Sequence, residues 1–593
     1  MYTFKENHNL ISLVQSVLIL FFLMLGASIN AQEEKDKETI KTERVVVVKA
    51  YTPEISDAFK VKATPVLEDS IVQNRKEITY SIFSVPVAST FTPAKGKAEN
   101  IDPPKKIPLF DNYATLGVGN YTSVLAEFYS NFQLSRTDNV GLYLHHNSSQ
   151  GGIDEVVLND KFYNTFLDAN YTSRTKDFTY GFEAGLEHQL YNWYGLPEIS
   201  VLTEEDIAVI DPQHNYYGAK LGGKFLFEDL YFKEVFINYR YFTDDLSSKE
   251  NHFKVNPTLE FELGDTKVTT EVSVDFLKGN FEEELVVGIS NDYQILNMAL
   301  QPSFLVLKDD VTLEIGAEAV YSVDSQREET NLYFYPQVKA SYRLYNDNFI
   351  GYGGLEGGLY QNTYRDAVQT NPYISPNLVI TPTHQQFNAF VGLKGKIADI
   401  ISYNIRGSFE TKEDQPLFIH NPLSDDFVTS IPIKNYEYGN SFSYRYDDLQ
   451  IASAYAELNF DINRKFKLGT TAEFFSYETD REEKPWNLPE FKISVVSDYQ
   501  INEKWSAGAQ IFYVGERFDV DNSVLFNEET EPQPFVILDS FVDVNVNIGY
   551  RINDQWSVFA KGNNLVSGTY QRWLHYPVQG IQVLGGVTYK FNW

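Results

Sequence analysis

The pentapeptide INEKW at residues 501–505 has two near-copies in the same chain, INRKF at 462–466 and INDQW at 552–556. Each runs from an aliphatic residue through Asn and two polar residues to an aromatic. The chain around each copy alternates with period two. Before the first, in ASAYAELNFDI (452–462), Ala452, Ala454, Ala456, Leu458, Phe460 and Ile462 share one face, and Ser453, Tyr455, Glu457, Asn459 and Asp461 share the other. Before the third, in FVDVNVNIGYR (541–551), Val542, Val544, Val546, Ile548 and Tyr550 oppose Asp543, Asn545, Asn547 and Arg551. That is the side-chain period of a β-strand, so each copy reads as a tight turn whose aromatic opens the next strand.

A soluble β-sandwich shows the same alternation; the connections separate the two cases. Further short turns are RTDN (136–139), SRTKD (173–177), LGDT (263–266), KDDV (308–311) and YNDN (345–348). Between them lie long acidic connections such as ETDREEKPWNL (478–488) and ERFDVDNSVLFNEETEPQPF (516–535). Short turns at one rim and long loops at the other are the pattern of an outer-membrane barrel, and aromatics at turn height form an interfacial girdle. The fold class expected is all-β: a transmembrane antiparallel β-barrel of about 22 strands (range about 18–24), spanning 112–593. Two segments, 285–295 and 438–447, do not fit the up-and-down count and read as β-extensions standing above the membrane.

Composition agrees. The 593 residues include 40 Tyr and 43 Phe, no Cys, and a formal charge of −32. The one long apolar run, LISLVQSVLILFFLMLGASINAQ (10–32), follows Lys5 and ends in the small residues Ala27, Ser28 and Ala31. It reads as a signal peptide, residues 1–31, rather than a retained anchor. Exported and otherwise without an apolar helix, the chain must satisfy its backbone in a membrane as a closed barrel. The acidic balance argues against a nucleic-acid partner. No nucleophile elbow, phosphate loop or metal-protease helix is present, so an enzyme is not expected, and nothing calls for a cofactor.

The two ends resemble one known family. In NNLVSGTYQRWLHYPVQGIQVLGGVTYKFNW (563–593), Asn564-Leu565, Tyr570, Tyr576-Pro577, Gly580 and the final GVTYKF strand are similar to the last hairpin of TonB-dependent outer-membrane receptors. Ile581 stands where the family usually has Arg. ERVVVVKAYTPEISDA (43–58) resembles a TonB box followed by the start of a plug. The resemblance implies a barrel in the cell outer membrane, a TonB-type periplasmic energy-coupling protein as partner, and insertion by the barrel-assembly machinery. One departure stands out. Residues 32–111 form only a short periplasmic extension, with one plausible strand (77–87) and an extended linker, TPAKGKAENIDPPKKIP (92–108). A full plug does not fit, so the lumen must be filled by this extension, by inward-folded loops or by another chain.

Three sets of residues are candidates for function. Val45, Val46, Val47 and Val48 form a TonB-box-like segment able to add a strand to a partner's sheet edge; the alternative is an ordinary strand of a small periplasmic module. Tyr589, Phe591 and Trp593 form the expected barrel-assembly signal on the strand that pairs last. Trp193, Trp486 and Trp573, in aromatic-rich outer loops, could stack on a ligand, although an interfacial belt is the simpler reading. A metal site is not expected: consecutive strand residues such as His145 and His146 face opposite ways, and the acidic clusters at 202–212 and 527–532 lack calcium-loop spacing. Two functions follow: energised uptake of a bulky nutrient, or a non-transporting barrel subunit of a larger complex that includes a surface lipoprotein or another outer-membrane protein.

Overall fold

A computed structural model describes residues 110–593, apart from 198–201, 229–230, 265, 287–288, 398–399, 425–432, 464, 521–534 and 567. The expected signal peptide, Val45–Val48, the strand at 77–87, the linker and the acidic cluster 527–532 lie outside the described residues.

Among the described residues, 22 strands form one antiparallel sheet. The sheet closes where the first strand, Asn112–Gly119, pairs with the last, Gln582–Phe591, in a register running from Asn112↔Phe591 to Gly119↔Leu584. Strand follows strand around the ring in sequence order, so each connection is a hairpin. At the seam the inner faces approach closely at paired Gly117 and Gly586, where a Cβ on Gly586 would lie 2.5 Å from the Leu116 carbonyl oxygen.

The two faces divide as the period predicts. Leu186, Leu221, Leu300, Ile405, Ile511 and Val583 project outward and are exposed. Inward positions carry the charge: Lys254 pairs with Asp275 at 2.8 Å and Lys339 with Glu356 at 3.0 Å on adjacent strands, and Lys220 reaches Asp168 at 2.7 Å across the strand between them. His145 turns inward to Glu127 (3.3 Å) and His146 outward to Thr165 Oγ1 (2.8 Å).

The three pentapeptide copies share one geometry. Asn463 Oδ1 accepts from the amides of Lys465 and Phe466, Asn502 Oδ1 from Lys504 and Trp505, and Asn553 Oδ1 from Gln555 and Trp556. The side chain imitates a backbone turn. It delivers the aromatic into register with a second aromatic on the adjoining strand: Phe466 with Tyr499, Trp505 with Tyr550, and Trp556 with Tyr589, at ring separations of 5.7, 4.7 and 4.5 Å. These pairs make the girdle at the turn rim.

The loop rim departs from a uniform pattern of long connections. The links at 120–123, 245–248 and 325–328 are as short as the turns at the other end. Elsewhere on this rim the strands themselves rise. Thr266–Val286 and Ile289–Lys308 have 21 and 20 residues, Ile401–His420 and Phe442–Asn463 have 20 and 22. A tilted transmembrane strand needs about 9–11, so 285–286, 289–295 and 442–447 belong to strand ends that project above the membrane.

Candidate functional site

The long connection between the strands Phe349–Tyr360 and Thr383–Ile397 does not rise into solvent. It folds into the mouth of the barrel. Helix α1 (Glu204–Val209), in an earlier loop, is exposed; helix α2 (Tyr364–Thr370), in this connection, buries Tyr364, Ala367 and Val368. Seven residues are too few to hold a helix in water, so local caps and the barrel wall hold it. Thr363 Oγ1 accepts from the Asp366 amide at 3.0 Å, and Pro372 stops the helix just past its C-terminal end. The Glu250 carboxylate of the wall accepts from the Tyr364 and Arg365 amides at 2.7 and 3.2 Å, satisfying two amides that a first helical turn leaves open.

The wall facing this connection is apolar in its upper part. Inward-pointing Tyr216, Phe242, Leu277, Phe281, Tyr293 and Ile295 pack against Tyr364, Ala367, Val368, Ile374, Leu378 and Ile380. A second set of contacts is ionic. Arg365 forms a two-pronged pair with Glu187, both N–O distances 2.7 Å, and Tyr364 donates to Asp244 at 2.7 Å. Farther along, Tyr373 stacks on Tyr576 at 3.8 Å, and Ser375 donates its amide to the Phe442 carbonyl at 2.7 Å. One connection thus joins the wall strands Phe178–Asn192, Phe232–Asp244 and Lys249–Leu263 to elements from a different arc of the ring.

The three loop tryptophans lie in the cores of these packed loops, with 1% (Trp193), 3% (Trp486) and 7% (Trp573) of their surfaces exposed. Trp193 stacks on His214 at 4.3 Å, Trp486 donates to Glu482 at 2.7 Å among Leu417, Ile419 and Leu449, and Trp573 packs on Phe418 and Phe442. They do not form a lipid-facing belt. Their rings pack among loop and strand side chains instead of facing outward.

Between these loops a small hairpin, Arg517–Val520 with Phe535–Leu538, carries a fully buried carboxylate, Asp519. It accepts from the His420 and Val520 amides at 2.9 and 2.8 Å and from Asn487 Nδ2 at 2.8 Å. Burial pushes its pKa up to about 6, against the pull of those donors. Arg517 is held beside it by the carbonyls of Gln571 and Arg572, and burial lowers the guanidinium to about 10.

At the turn rim the structure brings Tyr589, Phe591 and Trp593 together on the outer face, with Tyr589–Phe591 rings 5.4 Å apart and Phe591–Trp593 5.2 Å. The residues that sequence reasoning passed over are those of the mouth: Glu187, Asp244, Glu250, Tyr364 and Arg365. Thr363 three residues before Asp366, with Pro372 downstream, was a readable helix signal. Its partners on the wall carried none.

A family model described as TonB dependent receptor-like, beta-barrel matches residues 337–565. Solved barrels share the architecture. The ferripyoverdine receptor of the outer membrane of Pseudomonas aeruginosa is 13% identical with a TM-score of 0.60, over 81% of this chain and 72% of that one. The siderophore receptor PirA from Acinetobacter baumannii is 12% identical with a TM-score of 0.60, over 82% and 81%. The ferric-catecholate import receptor Fiu from Escherichia coli K12 is 13% identical with a TM-score of 0.56, over 81% and 82%. No curated protein matches in sequence. At these identities the solved structures are alike in fold alone.

Proposed function

We propose that the chain, whose residues 337–565 match the TonB dependent receptor-like, beta-barrel model, is an energised importer of a bulky nutrient, recognised at the loop rim and powered from the periplasm. The observation that carries this reading is the conjunction of the family match with a closed 22-strand barrel whose first and last strands pair. On this reading Val45–Val48 is the strand that docks on a TonB-type protein. The valine run is β-branched and free of Pro, and Glu43, Arg44 and Lys49 flank it, which suits an extended docking strand that does not pair with its own copies. Importers of this class are not enzymes, and no chemistry is assigned to the mouth. Trp193, Trp486 and Trp573 contribute by holding the loops that would meet cargo.

The test is a crosslink. A photoreactive residue at Val46 in intact cells is expected to capture a TonB-type periplasmic protein, and one at Thr92 in the linker is expected not to. Capture of only outer-membrane subunits from both positions leaves the structural-subunit reading in place of uptake.

A further inference from the structure

We propose that residues 361–382 are an internal strap that closes the barrel mouth, and that cargo passes only when the strap is released. The second half of this statement rests on the uptake reading; the first does not.

A barrel of this strand number leaves a wide lumen unless something obstructs it. The strap supplies an obstruction from within the barrel's own sequence. Its two ends are fixed where neighbouring strands end and begin, at Tyr360 and Thr383. Its middle is fixed twice. Toward the strands near Glu187, Asp244 and Glu250, three inward carboxylates receive the Arg365 guanidinium, the Tyr364 hydroxyl and the first amides of α2. Toward Phe442 and Tyr576, a parallel bridge at Ile374 and a ring stack at Tyr373 complete the span. Asn291 adds a bond from its amide to the Leu378 carbonyl at 2.9 Å.

The hold is of a kind that releases as a unit. Arg365–Glu187 is a charge-assisted, bidentate pair, partly shielded from water, and such pairs are geometrically exacting. A rotation of α2 that breaks it also strips Glu250 of two donors and Asp244 of one. These contacts therefore release together, as a gate requires.

The test uses the full chain, purified and inserted in planar bilayers, with heat-modifiable migration to confirm a folded barrel. Replacing 362–381 by a short Gly-Ser linker is expected to raise ion conductance at least about tenfold over the parent, as an unobstructed lumen of this size requires. Glu187→Gln, which keeps the shape and removes the charge, is expected to produce intermittent openings. A folded, strapless barrel as closed as the parent overturns the proposal. The release step is read separately. Ile374→Cys with Phe442→Cys joins residues that are already bridge partners, and oxidation of the pair is expected to abolish uptake, with recovery under reductant. Undiminished uptake with the bond formed overturns the gating claim. A parent that imports nothing removes the uptake reading, while the conductance result still decides whether the strap is the closure.

Discussion

The indole N–H of Trp593, the final residue, donates to Asn112 Oδ1 in the first barrel strand at 3.1 Å, and to Ser130 Oγ in the second at 3.0 Å. Residues 481 positions apart thus meet at the seam. Asn112 also donates to the Phe591 carbonyl at 3.0 Å, and the Trp593 ring stacks on Phe132 at 5.6 Å. The end of the chain serves both as the last turn of the aromatic girdle and as a clasp across the closure.

Trp593→Phe keeps the ring and loses the donor. It is expected to insert normally and to lose about 1 kcal/mol in urea unfolding followed by heat-modifiable migration, the usual net worth of a hydrogen bond. Trp593→Asp places a charge at the interface and is expected not to accumulate in the outer membrane. Normal levels of the Asp variant would remove these aromatics from barrel assembly.

Asn553→Ala leaves the Gln555 and Trp556 amides to water. The expected cost is about 0.5–1.5 kcal/mol. Asn553→Asp keeps both acceptor bonds and is expected to match the parent. Equal loss in both variants would show that the repeated Asn acts through something other than its side-chain oxygen.

Asp519 makes the outer loops sensitive to pH. Its folded pKa of about 6 lies above the ordinary 3.8, so the packed loops favour the neutral acid. Between those values the folded form holds a proton that the unfolded loop releases. Stability of the cluster is therefore greatest below about pH 4 and falls as pH rises toward 6, by on the order of 3 kcal/mol in all. Asp519→Asn is expected to slow amide exchange at His420 and Val520 relative to the parent at pH 8 and to leave it unchanged at pH 4. A parent-like exchange profile in the Asn variant at both pH values would show that the carboxylate is no burden.

Protease added to intact cells is expected to cut within 202–212 or 516–535 and to spare 502–504 and 553–555. Cleavage at the two Asn turns would invert the orientation of the barrel.

What the sequence showed depended on distance along the chain. The faces of Ala452–Ile462 and Val542–Tyr550 follow from strand period, a relation between residues two apart, and the structure matches them. The Asn turns are likewise local. The mouth is not. Arg365 meets Glu187, and Tyr373 meets Tyr576, across gaps of about two hundred residues, and no periodicity encodes such a pairing. The tryptophans show the same limit: a Trp in a loop reads as an interfacial residue, and only the inward fold of the loops makes Trp193 a core residue.

The claim of energised uptake is tested most directly by Val46→Pro. Proline removes one backbone donor from the segment and fixes its φ, which spoils strand pairing with a partner while leaving residues 112–593 untouched. The measurement is growth on the limiting nutrient by cells carrying this variant at parental levels in the outer membrane. The account predicts normal insertion and loss of growth. Normal insertion with unchanged growth and unchanged periplasmic partners would contradict it and leave the barrel as a structural subunit.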